Sequence, residues 1–113
     1  MAVAVYVQEG ASIDYTPGVA VAAGDVVVQG DLVGVAKLDI AADQLGALAV
    51  EGVFDFPKAT GASTAITAGE TLYWDEGAGQ ATASAGGGAN KELGKAIAAA
   101  SDGDATVRAR LAQ

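Results

Sequence analysis

The chain lacks two of the residue types on which most active sites and metal centres depend. Its 113 residues include no cysteine and no histidine. Without cysteine it can form neither a disulfide nor a thiolate metal site. Without histidine it lacks the commonest general base and metal ligand. Both absences argue against catalysis, and the missing disulfides are typical of a protein made in a reducing cytoplasm.

Aromatic side chains are scarce, at 5% of the residues. Hydrophobic residues reach 51%, but many of them are alanine. Alanine adds little burial energy, since a methyl-sized group contributes only about 0.8 kcal/mol. The core must therefore rest on valine, leucine, isoleucine and a few rings. We expect additional burial against other subunits, because association stabilises a folded state of marginal stability.

Basic residues are also few: 6 against 14 acidic residues, for a net charge of −8. Such a surface repels phosphate backbones, which are bound through lysine and arginine, and anionic lipid surfaces. The first residues lack the basic segment of a signal peptide. No apolar run approaches the roughly 20 residues of a membrane helix. We therefore expect neither nucleic acid nor a membrane as a partner.

Glycine divides the sequence into short segments. Sixteen glycines and two prolines separate runs of alternating or β-branched residues. Short strands spaced about 8–12 residues apart predict an all-β fold, a small β-barrel or β-sandwich of mostly antiparallel strands. Residues 1–113 are expected to form one domain. The predicted strands are residues 3–8, 12–16, 26–29, 32–36, 47–56, 71–75, 80–84, 93–100 and 106–111.

Three segments carry more detailed expectations. Residues 47–56 are predicted to form the longest strand, with Gly52 as a bulge. Residues 39–44 have the character of one helical turn. Residues 67–73 resemble residues 22–28, since each has a small residue, a glycine and an acid before a strand. We interpret this similarity as one turn chemistry used twice and not as a repeat architecture.

The N-terminal segment is the first candidate for a binding contact. Its valines alternate with other residues: Val3, Val5 and Val7 are separated by Ala4 and Tyr6 and followed by Gln8. A terminal strand can add to the sheet edge of a partner, where main-chain hydrogen bonds give affinity. The equal alternative is that this strand completes the protein's own sheet. Residues 1–10 are thus either an N-terminal strand or a docking arm.

Three further residues, Trp74, Arg108 and Arg110, are candidates for contacts with a partner protein or another subunit. Trp74 and its neighbour Tyr73 point to opposite faces of a regular strand, so one is expected in the core and the other at an interface. Arg108 and Arg110 share the polar face of the last strand. They either pair with acids on a neighbouring strand or subunit, or form a charged edge that prevents aggregation. The lysines are expected to be solvated: Lys37, Lys58, Lys91 and Lys95.

No motif in the chain supports catalysis or cofactor binding. Residues 88–96 resemble a phosphate-binding loop, but the spacing is wrong by one residue and Ala96 stands where a hydroxyl must hold Mg²⁺. Asp102 and Asp104 lack the later ligands of a calcium loop. The serines have no histidine to activate them. We predict no catalytic residue, no cofactor and no metal site.

The order of several sequence blocks is similar to that of a known family. The blocks are Tyr6-Val7-Gln8-Glu9-Gly10, Ile13-Asp14-Tyr15, Ala23-Gly24-Asp25-Val26-Val27, Gly34-Val35-Ala36, Glu51-Gly52-Val53-Phe54-Asp55-Phe56-Pro57-Lys58, Ala68-Gly69-Glu70-Thr71-Leu72-Tyr73-Trp74-Asp75, Leu93-Gly94-Lys95-Ala96 and Ala105-Thr106-Val107-Arg108-Ala109-Arg110-Leu111. Together they resemble the DUF2190 family of bacteriophage capsid decoration, or cement, proteins. The resemblance covers nearly the whole chain and brings no catalytic residues with it.

The resemblance implies a structural role. Decoration proteins bind the outer surface of the major capsid protein lattice and stabilise the mature head, commonly as trimers or other homo-oligomers. It also implies synthesis in the cytoplasm of a bacterial host and a final place on the virion. Two alternatives are a RecA/RadA-type recombination or nucleotide-binding protein, and a carbohydrate-binding β module on the virion surface. The failed phosphate loop argues against the first, and the scarce aromatic rings argue against the second.

Overall fold

The computed structural model describes residues 3–5 and 10–112. Over this part of the chain the fold is all-β, with short strands, one 3₁₀ turn at Gly86–Gly88 and no α-helix. The all-β prediction is confirmed. The strands are β1 (Ser12–Tyr15), β2 (Val26–Gln29), β3 (Leu32–Ala36), β4 (Gly46–Ala49), β5 (Gly52–Pro57), β6 (Thr71–Asp75), β7 (Gln80–Thr82), β8 (Lys91–Ala96) and β9 (Thr106–Leu111).

The strands form two antiparallel sheets. The first has the order β1-β4-β3-β2, and the second has the order β5-β9-β8-β6-β7. In the second sheet a parallel bridge between Lys58 and Ala81 connects the end of β5 to β7, so this sheet curls back toward itself. The arrangement is compatible with either the barrel or the sandwich that the sequence predicts.

The last strand shows how alternation in the sequence builds the core. Val107, Ala109 and Leu111 of β9 are buried, whereas the residues between them are exposed. The main core cluster forms around this strand and includes Phe56 and Trp74, whose ring centroids are 6.2 Å apart. Burial of each large apolar side chain contributes about 1.5–3 kcal/mol.

The first sheet contributes to two clusters, one on each face. Val33 and Val35 of β3 pack into the main cluster and thereby join the two sheets. The opposite face holds a smaller cluster of buried and partly buried residues. Its members are Ile13, Tyr15, Val21, Val27, Ala36, Ile40 and Leu48.

The two sheets repeat one strand order. We call strands β1–β4 the first half of the molecule and strands β5–β9 the second half. The order β1-β4-β3-β2 corresponds to β5-β9-β8-β6, and β7 is an addition to the second sheet. The turns before β2 and β6 also match in their hydrogen bonds. Asp25 accepts the amide hydrogen of Ala22, as Glu70 accepts that of Thr67. The amide groups of Gly24 and Gly69 donate to the carbonyls of Ala36 and Ala96, respectively.

Strand register extends the correspondence residue by residue. Ala36 pairs with Leu48 as Ala96 pairs with Ala109. The bridge between Val21 and Ile40 is matched by one between Ile66 and Ala100. Residues 36–40 therefore correspond to 96–100, and residues 45–49 to 106–110. The interpretation of the sequence similarity as a shared turn alone was wrong, because the turn belongs to a repeated four-stranded unit.

Two local expectations were also wrong. Residues 47–56 form two strands in different sheets, because the chain leaves the first sheet after β4 and enters the second at Gly52, whose φ of 130° suits glycine. Residues 39–44 form no helical turn: Ile40 bridges to Val21, and Asp43 adopts a left-handed φ of 62°.

Lys58 was expected to be solvated but is only 6% exposed. Its Nζ donates to the carbonyl oxygens of Ala59, Ser101 and Asp104, at 2.7, 2.9 and 3.0 Å. A buried ammonium group is tolerated when its donors are satisfied in this way. Sequence spacing did not reveal this site, because the three carbonyls come from two distant segments.

Gly94 occupies the closest approach of two strands. Its φ is 152°, and a Cβ at this position would overlap the carbonyl oxygen of Arg110 on β9. We predict that Gly94→Ala lowers the free energy of unfolding by about 3 kcal/mol or more, because backbone and not a mobile side chain blocks the methyl group. Chemical denaturation monitored by Trp74 fluorescence would measure the loss.

Gly103→Ala is the matched control, because a Cβ there meets no atom within 4 Å. This variant should keep the unfolding free energy of the parent protein to within about 0.5 kcal/mol. Equal stability of the two variants would contradict the proposed packing at Gly94.

Lys58→Met should lower the free energy of unfolding by about 2–3 kcal/mol, because the three carbonyls lose their buried donor. Lys37→Met is the control, since Lys37 is exposed. Urea denaturation of both variants tests the expectation. A Lys58→Met protein as stable as the control would show that water replaces the ammonium at no cost.

Candidate binding surfaces

The N-terminal candidates lie partly within the described residues. Val3 and Val5 are 78% and 85% exposed and belong to no strand. Tyr6 and Val7 lie outside the described residues. Two exposed valines separated by one residue present an apolar edge to solvent, as a strand without a sheet would. Their docking role remains a prediction.

Trp74 lies in the core and not on a binding face. It is 7% exposed and packs beside Phe56. The expectation that one of the two rings on β6 is buried is confirmed. Tyr73, the other ring, is half-buried on the opposite face of the strand. Of the two, Tyr73 is therefore the one available for contact.

Arg108 and Arg110 lie on the outer face of the second sheet. Nε and Nη2 of Arg108 donate to the two carboxylate oxygens of Asp55 on β5, at 2.9 and 3.1 Å. This hydrogen bond lowers the pKa of Asp55 and raises the pKa of Arg108. Arg110 pairs in register with Val53 and Lys95. One predicted arginine is thus held by a neighbouring strand, and the other lies beside a like charge.

A second ion pair connects the two halves. Lys91 Nζ, at the start of β8, lies 2.8 Å from an Asp31 carboxylate oxygen in the turn between β2 and β3. The hydrogen bond to Lys91 lowers the pKa of Asp31. The Asp31 side chain is 92% exposed and that of Lys91 33% exposed, so we expect this pair to fix the orientation of the turn more than to stabilise the fold.

The predicted contact residues do not form one site. Val3 and Val5 lie in the N-terminal segment, Trp74 lies inside the molecule, and the arginines lie on the second sheet. No combination of them produces a cleft with reactive groups. Among residues 3–5 and 10–112, no cluster of acidic groups has the geometry to hold a metal ion.

A more coherent surface was missed in the sequence. Leu38 and Leu45 are 77% and 71% exposed and line a depression of about 310 Å³ together with Ile40 and the start of β4. We call this surface, made of Ser12, residues 37–41 and 44–47, and Ala49, the leucine pocket. Large exposed leucines next to a concavity are typical of interaction sites. The internal repeat is the sequence signal that could have revealed this surface. It was overlooked, and residues 39–44 were interpreted as a helical turn instead.

The second half shows that the fold does not require these leucines. The residues that correspond to Leu38 and Leu45 are Ala98 and Thr106 (residues 36–40 match 96–100, and 45–49 match 106–110). The same backbone thus forms with small or polar side chains at both positions. Folding stability therefore does not explain the leucines in the first half.

Helices that could cross a membrane are absent from the part of the chain that the structure describes. The fold is that of a small all-β protein of two antiparallel sheets. A family model for phage cement proteins matches residues 7–111, and the chain belongs to this family. It is accordingly a structural component of the phage virion, associated with the capsid. Neither a curated protein nor a solved structure matched the chain.

Asp55→Asn should remove a stabilising contribution that depends on pH. The folded-state pKa of Asp55 is lowered. The contribution of the Asp55 carboxylate to the free energy of unfolding is therefore complete above the unfolded-state pKa of about 3.9. It disappears as the pH falls through the lower folded-state pKa. The unfolding free energies of variant and parent should differ at pH 6 and converge toward pH 2.

Asp43→Asn serves as the control, because Asp43 forms no ion pair among the described residues. Its difference from the parent should change less with pH than that of Asp55→Asn. A pH-independent difference for Asp55→Asn would show that the ion pair contributes nothing to folding.

Proposed function

We propose that this protein decorates the outer surface of the major capsid protein lattice and stabilises the mature head without catalysing a reaction. The match of the phage cement family model to residues 7–111 carries this proposal. The chemistry of the chain supports it. There is no histidine or cysteine, and Arg108, one of the two exposed arginines of the second sheet, is engaged by a carboxylate.

Stabilisation would come from many weak contacts added together. A ligand that binds the assembled lattice and not its separated subunits shifts the equilibrium toward assembly. Copies that bridge neighbouring capsomers gain further from effective concentration, because the second contact is made within one assembly. An acidic surface suits this location, since the protein has no need to bind the packaged DNA.

The leucine pocket is the surface that we assign to the capsid. Leu38 and Leu45 are more exposed than Val53 and Ile97 on the second sheet, which are 54% and 48% exposed. A side chain of the capsid protein that enters the pocket would cover both leucines and remove apolar surface from water. The exposed ammonium of Lys37 at the rim favours an acidic neighbour on the capsid.

We also propose that the protein works as a homo-oligomer, with a trimer as the favoured form, after synthesis in the host cytoplasm. The smaller core cluster supports this, because only three of its members are fully buried. Burial against other copies would supplement it.

The double variant Leu38→Ala/Leu45→Thr introduces the residues that the second half carries at the same positions. It should fold with unchanged stability, because that backbone accommodates both side chains. Its affinity for capsids that lack the decoration protein should fall at least about 10-fold, as expected for the loss of roughly 1.4 kcal/mol or more of apolar contact. Co-sedimentation with purified capsids measures the affinity.

Val53→Thr is the matched control, because it removes an exposed apolar side chain from the other sheet. It should bind capsids like the parent protein. Equal binding by the double variant would assign the capsid contact to another surface. No binding by the parent protein to any mature capsid of its phage would overturn the proposed function itself.

A further inference from the structure

Strand β2 leaves an uncovered edge in the first sheet. Within the part of the chain that the structure describes, it lies at the end of the strand order and pairs only with β3. The amide of Ala36 donates to the carbonyl of Asp25, so the antiparallel alternation directs Val27 and Gln29 toward β3 as well. The backbone groups of Val26 and Val28 then face the open side. This edge carries neither charge nor proline, the usual protections against strand addition.

The second half covers the corresponding edge with a strand of its own. There β7 pairs with β6, with Tyr73 opposite Thr82 and Trp74 opposite Ala81. β7 has no counterpart in the first half within residues 3–5 and 10–112. Comparison of the two halves therefore identifies a strand position that one half fills and the other leaves open.

The core beside the open position is incompletely covered. Val27 of β2 is only partly buried in the smaller cluster, as are Val21 and, at the far edge of the sheet, Tyr15 of β1. Their counterparts in the second half are buried: Leu72, Ile66 and Phe56. An added strand would cover the smaller cluster as β7 and its neighbours cover the larger one, and would satisfy the free groups of β2.

The chain also contains a segment with strand character and no sheet. Residues 3–7 alternate valine with alanine or tyrosine and carry no charge. Val3 and Val5 remain exposed and unpaired in the single chain. The described part of this segment, residues 3–5, does not pair with β2 of its own chain, which leaves Val3 and Val5 available to a second copy.

We propose that residues 3–7 of one copy add as a strand to the β2 edge of a neighbouring copy. This inference rests on the homo-oligomer of the proposed function and names the surface that forms it. Because the donated segment and the accepting edge are different surfaces, the contact is head-to-tail. Such contacts close into a ring when the rotation that relates neighbouring copies permits it. A trimeric ring is one such closure. The leucine pocket is not used in this contact and remains available for the capsid.

Deletion of residues 2–7 tests the proposal without any capsid present. The full chain should be a discrete oligomer at micromolar concentration by light scattering, and the deleted chain should be a monomer. Hydrogen exchange at the amides of Val26 and Val28 should be at least about 10-fold faster after deletion, because these amides lose their partner. The amide of Val27, bonded within the β2–β3 pair, is the internal control and should stay protected in both proteins.

A mixed sample separates donation between copies from pairing within one chain. The chain has no cysteine, so Val3→Cys provides a single site for a nitroxide label. Chains at natural isotope abundance that carry the nitroxide are mixed with ¹⁵N-labelled chains that carry no nitroxide. The amides of Val26–Gln29 in the ¹⁵N chains should broaden. A nitroxide on Gly103→Cys, at an open surface position, should leave these amides sharp.

Each outcome decides the proposal. Loss of association, faster exchange at Val28 and broadening between copies support it. A monomeric full chain, an oligomer that survives the deletion, or broadening confined to another segment overturns it. None of these results affects the capsid contact, which the double leucine variant tests separately.

Discussion

The close contact between the third and fourth strands of each repeat is the constraint on which the fold depends. In both halves a glycine lies at this contact: Gly34 against Leu48, and Gly94 against the backbone of Arg110. Any side chain at these positions would separate the paired strands. Because the paired strands carry Val33, Leu93 and Leu111, which are fully buried, separation would also open the core. The rest of each unit is arranged around this contact.

Two similar units with different surfaces explain how such a small protein can make several contacts. The second unit is closed by β7 and contains the only tryptophan, so it supplies most of the core. The first unit is less completely buried and carries the exposed leucines and the open edge. Buried apolar surface is thus concentrated in one half, and the surfaces that we propose for contacts lie in the other.

Much of the fold could be predicted from the sequence, because short alternating segments and turn glycines are local signals. The β2–β3, β6–β7 and β8–β9 hairpins were predicted from such signals and are confirmed. The division of residues 47–56 between two sheets could not be predicted, since a glycine in a strand indicates a bulge and a change of sheet equally well. Leu38 and Leu45 have no local signal that distinguishes an exposed leucine from a buried one. Tertiary pairing alone shows that they are exposed.

The ammonium group of Lys58 has a consequence for how the molecule opens. One donor group binds the carbonyl of Ala59 after β5 and two carbonyls in the turn before β9. Asp102 in that turn accepts hydrogen bonds from the amides of Thr64 and Ala65. Detachment of either loop would break hydrogen bonds that involve both. We therefore expect local fluctuations of the two loops to be coupled.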